Sequence, residues 1–423
     1  MRHPPQRLLL LWATAVALVH LPGAAPDWRR PASSAAAAST PAIAQVSRRP
    51  VAFLVDSWHP ISHADVIGTR LLTGYRRGSE HLSSPVTVAT LYQAAPRPDH
   101  LGAQLATRYG VRVTGSPADA LLDEPAAPRP RLAVAGVLVA ARTLPALEAP
   151  PDGSLQFRLF RETMAVFDRV GSVVPVFVDK NLAATLQESL VVVAEAARRR
   201  VPTMAGSVVP WVPLDPPLPA GRRPVLAVVV AAAPYHLYAI HAAELLQAVL
   251  ETRAQREVGV AWVREVGRGL WALPDRDRWG ADLLEGLLVT ARTRSPRAPR
   301  VPEGLADGDF VVLVEYRDGA RGVLALLPGQ FDDAEFRVGV RYDTGRDYVG
   351  GLVLGGAPYD HFGYLVHALV TFFTTGRAPA PLERTLVSTG ISILGLQSRH
   401  NQGQPVVTPP LAVSYETPRT GTP

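Results

Sequence analysis

Lys180 is the residue whose type and setting point most directly to chemistry. It follows the apolar, β-favouring residues Pro175 to Val178 and the acidic Asp179, so it stands where a buried strand stops. In open α/β sheets ligands and reacting groups collect at this carboxyl rim, which makes Lys180 a candidate reactive group. A solvated loop lysine is the alternative that the same residues allow. Several other chemistries lack their residues. The chain contains no cysteine, which excludes thiolate catalysis, disulfides and zinc-cysteine sites. His361 and His367 do not have the spacing of a helical metal pair, and no His-Glu-x-x-His occurs, so no metal is assigned. The Gly-x-Ser-x-Gly elbow and the Walker phosphate loop are also absent.

The elements that would position Lys180 alternate from residue 49 onward. Strands are expected at 51–55, 86–92, 111–114, 132–140 and 175–178, and helices at 63–72, 99–109, 117–122 and 185–198. Such an order implies βαβ units and a parallel sheet. The loop after the first strand, Asp56 to Ser62, contains no glycine, whereas a dinucleotide fingerprint needs glycines for the diphosphate to approach the backbone. Ser62 can cap the next helix and leave backbone N–H groups free for an anion, although Asp56 is a poor neighbour for a diphosphate. Where a ribose-binding acid would end the second strand, the chain has Tyr92 and Gln93, then Arg97. Arginine there could accommodate a 2′-phosphate, which tilts a redox reading towards NADP over NAD.

Residues 212–415 read as a second, α+β domain. A strand at 224–232 and a helix at 238–252 precede antiparallel strands at 258–266, 310–316, 322–327 and 336–342, a further strand at 352–356, and helices at 361–375 and 382–397. The expected architecture is thus a Rossmann-like parallel-sheet domain over 49–211, then a C-terminal domain with a large, mainly antiparallel, open-faced sheet, and a tail at 416–423. An open apolar face usually meets a partner, so a homo-oligomer through this sheet is expected.

These segments resemble the Gfo/Idh/MocA family of glucose-fructose oxidoreductases and inositol dehydrogenases. Asp179, Lys180 and Asn181 stand in the three positions of the family's Glu-Lys-Pro motif, and His63-Ala64 resembles the pair that opens its first helix. Residues 235–246 resemble the family's Asp-x-Gly-x-His helix start, with His241 on the histidine, Leu237 in place of the aspartate and Ala239 in place of the glycine. The resemblance covers about residues 49–415 and looks like a divergent bacterial branch. It implies an NAD(P)-dependent oxidoreductase acting on a hydroxyl of a sugar or polyol, with Lys180 beside the nicotinamide and the substrate hydroxyl. His241 would relay the proton, a task that suits an imidazole titrating near neutrality. Asp56, Ser62, His63, Gln93, Arg97 and Asp179 would lie at the cofactor, and Tyr235, Tyr238 and Glu244 at the substrate. The missing glycines keep open a second reading, a catalytically inactive Rossmann-like binding or scaffold protein for a carbohydrate or a protein.

Composition narrows the partners. The net charge of +6 is modest for 423 residues, and the arginines form no stripe interleaved with aromatics, so nucleic acid is not an expected partner. Residues 1–48 begin basic, carry an apolar run at 8–19 and turn rich in Ala, Pro and Ser, which resembles a secretory signal. Export or membrane association is the localisation this implies, with the cytoplasm as the alternative.

Overall fold

The structure, a computed structural model, describes residues 48–352 and 354–418. The signal-like segment therefore lies outside the described residues. The first sheet is built from β1 (Arg49–Val55), β2 (Val86–Gln93), β3 (Arg112–Thr114), β4 (Val137–Ala140), β5 (Val176–Asp179) and β6 (Thr203–Gly206). All neighbours are parallel, and the spatial order is β3-β2-β1-β4-β5-β6. This is the doubly wound order, whose ligand crevice lies outside the carboxyl ends of β1 and β4, where the winding reverses. Continuous apolar runs such as Val51 to Val55 form these strands because both faces are covered, and each of those five residues is fully buried.

Two features of this domain differ from the expectation. The strand expected over 132–140 is confined to β4, since Ala133 and Ala135 donate to Leu121 and Pro50 as the chain approaches the sheet. Helix α1 (Leu155–Val170) was not foreseen, and it buries Leu159, Phe160, Thr163, Met164 and Phe167 on one face. Helix α2 (Leu186–Arg199) then connects β5 to β6, and Thr185 and Glu188 close its N-terminus as a capping box.

The second sheet comprises β7 (Pro224–Ala231), β8 (Val260–Glu265), β9 (Phe310–Tyr316), β10 (Arg321–Leu326), β11 (Phe336–Tyr342), β12 (Asp347–Leu352) and β13 (Val406–Val407). Its order is β12-β11-β7-β10-β9-β8-β13, with β7 and β10 parallel and the remaining pairs antiparallel. The strand expected at 352–356 is instead β12, which ends at Leu352. Helix α3 (Tyr235–Leu250) lies between this sheet and helix α6 (Leu382–His400), which follows α5 (Phe362–Thr375), and is buried on nearly all sides.

The open sheet face expected from the sequence is filled. Helix α4 (Ala281–Val289) and the 3₁₀ turns before it lay Leu270, Trp279, Leu283, Leu284 and Leu287 over Leu226, Val228, Val230, Val311, Leu313 and Val323. The opposite faces of the same strands join the core shared with the first domain. Association through a bare sheet thus loses its physical basis. No helix among the described residues is long and apolar enough to cross a membrane.

Candidate active site

Lys180 sits in a turn that the backbone alone would not choose. Its φ is 62°, in the left-handed region, which costs a non-glycine residue roughly 1–2 kcal/mol. The surrounding groups hold it there. Its N–H donates to Gly206 O at 3.0 Å, tying the end of β5 to β6. Gln156 on α1, fully buried, donates from Nε2 to the carbonyl of Asp179 at 3.0 Å and to that of Asn181, so one amide clamps both sides of the lysine. Leu182 N donates to Thr389 Oγ1 on α6 at 3.2 Å, which fastens the far end of the turn. Gln156→Leu is expected to strand two buried carbonyls and to destabilise the protein by about 2–4 kcal/mol, read as a lower midpoint in urea unfolding.

Around Lys180 the chain gathers carboxylates and imidazoles. His63, at the start of the first helix (residues 63–73), donates from Nδ1 to Asp179 at 3.0 Å to Oδ1 and 2.8 Å to Oδ2. Burial alone would raise the Asp179 pKa, but the charge and hydrogen bond of His63, with Lys180 beside it, hold it below the usual value. Burial lowers the pKa of the Lys180 amine, Asp179 and Asp56 oppose the shift, and Arg142 adds to it. The result moves the amine towards a state in which it can accept a proton.

His241 is 7% exposed, and its Nδ1 has no partner among the described residues. Burial drives its pKa well below the ordinary value, and the positive fields of Lys180, His63 and His361 push the same way. Its ring centroid lies 6.0 Å from that of His63 and 5.4 Å from that of Tyr238. His361, whose pKa is lowered to about 4 by burial and by Arg70, completes the group of imidazoles, with the Phe362 ring 5.0 Å from it and 5.1 Å from His63. The structure therefore brings Lys180, His241, His63, Asp179, Asp56 and Tyr238 together. His361 joins them although its spacing from other histidines gives no local signal.

Other expected residues have different tasks. Ser62 caps the first helix, accepting from Asp65 N at 3.2 Å and donating to His59 O at 2.6 Å. Gln93 is turned inward, where its Oε1 accepts from Trp58 N at 2.8 Å. Arg97 is exposed and pairs with Asp99 at 2.8 and 3.1 Å, so its charge is already matched and gives no ground for preferring NADP. Tyr235 belongs to the core, where its hydroxyl donates to Ser392 O at 2.8 Å and its ring stacks on Phe310 at 4.0 Å. Glu244, 2% exposed, bonds Ser388 on α6 and packs its carboxylate on Gly206, which fastens α3 behind the Lys180 turn.

The loop after β1 replaces the glycine gap with an indole. Trp58 is fully buried against Phe53, and Gly68 on the first helix leaves no room for a Cβ beneath that ring. Most N–H groups of the loop are satisfied internally: Ser57 by Asp56, Trp58 by Gln93, His59 by Ser62 and Ile61 by Asp65. The N–H groups of His63 and Ala64 have no acceptor among the described residues, and they lie at the positive end of the helix. A cavity of about 360 Å³ opens on another side of this helix, lined by Asp65, Arg70, Tyr75, Arg76, Tyr359 and Asp360 and without Lys180 or His241 in its wall.

No family model matches the sequence, and no curated protein does. Solved structures do match in fold. GenD2 from gentamicin A biosynthesis, crystallised in complex with NAD, superposes with a TM-score of 0.55 at 15% identity, over 85% of this chain and 96% of that one. A myo-inositol dehydrogenase from Corynebacterium glutamicum gives 0.52 at 9% identity, covering 85% and 98%. The apo scyllo-inositol dehydrogenase from Lactobacillus casei gives 0.51 at 9%, covering 86% and 98%. This chain shares the fold of these proteins.

Proposed function

We propose that the protein is an NAD(P)-dependent oxidoreductase acting on a hydroxyl of a sugar, a polyol or a derivative of one. The observation that carries this reading is the placement of a lysine in a strained turn, next to a buried carboxylate that is paired with one of a group of imidazoles, at the carboxyl rim of a doubly wound sheet. The bound nicotinamide would supply the two-electron acceptor for the substrate carbon. The chain's own residues then have defined tasks. Lys180, drawn towards its neutral form, hydrogen-bonds the substrate hydroxyl and takes its proton, while His241 offers a second acceptor. Tyr238 borders the site beside His241. The dinucleotide phosphates fit the two unpartnered N–H groups of His63 and Ala64, a smaller donor set than a glycine loop provides.

Weak cofactor binding follows from that small donor set. Titration calorimetry on the purified chain is expected to give a dissociation constant of tens of micromolar or weaker for NAD or NADP, about 6 kcal/mol. The absence of both heat and thermal stabilisation at millimolar cofactor would sink the oxidoreductase reading and favour a binding protein.

A further inference from the structure

We infer that His63, oriented by Asp179, is the residue that receives the substrate's proton from Lys180 and passes it to solvent. The inference rests on the oxidoreductase reading and extends it from one amine to a chain of three side chains. An ionised carboxylate only accepts hydrogen bonds, so the contacts of 3.0 and 2.8 Å require the proton to sit on Nδ1 of His63. Nε2 is then left with its lone pair, as in any imidazole whose other nitrogen is held by an acid. His241 has no such orienting partner, because its Nδ1 is unpaired.

Position and exposure support the direction of transfer. Asp179 immediately precedes Lys180, and the lysine is close enough for its charge to disfavour protonation of both His63 and His241. His63 is half-buried whereas Asp179 and His241 are buried, so of these groups His63 lies nearest to solvent. Burial lowers the His63 pKa, the charge and hydrogen bond of Asp179 oppose the shift, Lys180 adds to it, and Asp56 opposes it.

The step balances as follows. The substrate O–H bond breaks, and its proton moves to the Lys180 amine and then to Nε2 of His63. The C–H bond on the same carbon breaks with its electron pair, which leaves as hydride to an oxidised nicotinamide dinucleotide, and the C=O bond forms. His63 then releases the proton to water.

Two measurements on the full chain test this. In the resting protein, nitrogen-15 NMR of the histidine rings should show His63 as the Nδ1–H tautomer at neutral pH, and Asp179→Asn should disturb that assignment. In turnover with NAD or NADP and a panel of sugars and polyols, His63→Asn keeps a donor for Asp179 but has no acceptor at Nε2. Its kcat should fall by at least ~100-fold with KM changed by less than about threefold, and added imidazole should restore part of the rate to His63→Ala. An Nε2–H tautomer, or a His63→Asn variant within a few-fold of an active wild type, overturns the inference and leaves the oxidoreductase reading standing. A wild type that transfers no hydride to either cofactor overturns both.

Discussion

Lys180→Ala should lose hydride transfer by about 10³-fold or more in kcat while NAD(P) affinity stays within a few-fold, because the acceptor of the hydroxyl proton is gone and the N–H groups of the first helix remain. Two side effects make the result specific. Lys180 disfavours the protonated forms of His63 and His241, so its removal should raise both pKa values, measurable by NMR titration. Lys180 also holds a left-handed φ of 62°, and Lys180→Gly should therefore stabilise the fold by about 1 kcal/mol while abolishing turnover. A higher unfolding midpoint with no activity identifies a residue kept for its side chain. A glycine variant that remains active removes Lys180 from the chemistry.

The second large effect lies in the buried polar network beneath the second sheet. Arg253, 2% exposed, forms two hydrogen bonds of 2.9 and 2.7 Å with Glu257, which is fully buried, and a third of 2.8 Å with Asp318. Glu257 also accepts from Gln247 at 2.8 Å and from the backbone of Val258 and Gly259, each at 2.9 Å. The Tyr316 ring closes the site, 4.6 Å from the guanidinium carbon. Arg253→Met leaves the Glu257 charge buried without its counter-ion, and a loss of about 3–5 kcal/mol is expected in denaturant unfolding. Arg253→Met with Glu257→Gln should recover part of that loss. A double variant that is worse than the sum of the single ones contradicts this account.

Much of this architecture was legible because local patterns and tertiary context agree. Runs such as Val51 to Val55 and Val228 to Val230 are buried on both faces, and their composition says so. Lys180 was legible from the end of such a run. Helix α1 left a readable trace in the helical spacing of Leu155, Leu159, Phe160 and Phe167, but Gly153 and the prolines before it obscured its start. The segment that covers the second sheet is built largely from short 3₁₀ turns, which carry no long periodicity, so that sheet read as open. Tyr235 shared a motif with His241 but not a direction, since six residues on a helix of 3.6 per turn end on different sides. The pairing of His63 with Asp179 joins positions 116 apart, and Gln156 reaches the lysine turn from another helix. Such contacts exist only once the sheet has formed, and no local pattern encodes them.

The covered face of the second sheet bears on thermodynamics as well as on shape. Apolar area that a bare sheet would have to satisfy with a second copy is satisfied by residues 267–289 of the same chain. Burial there is intramolecular, so it contributes nothing that mass action could amplify or dilute. Any dependence of the unfolding midpoint on protein concentration would have to originate at a different surface.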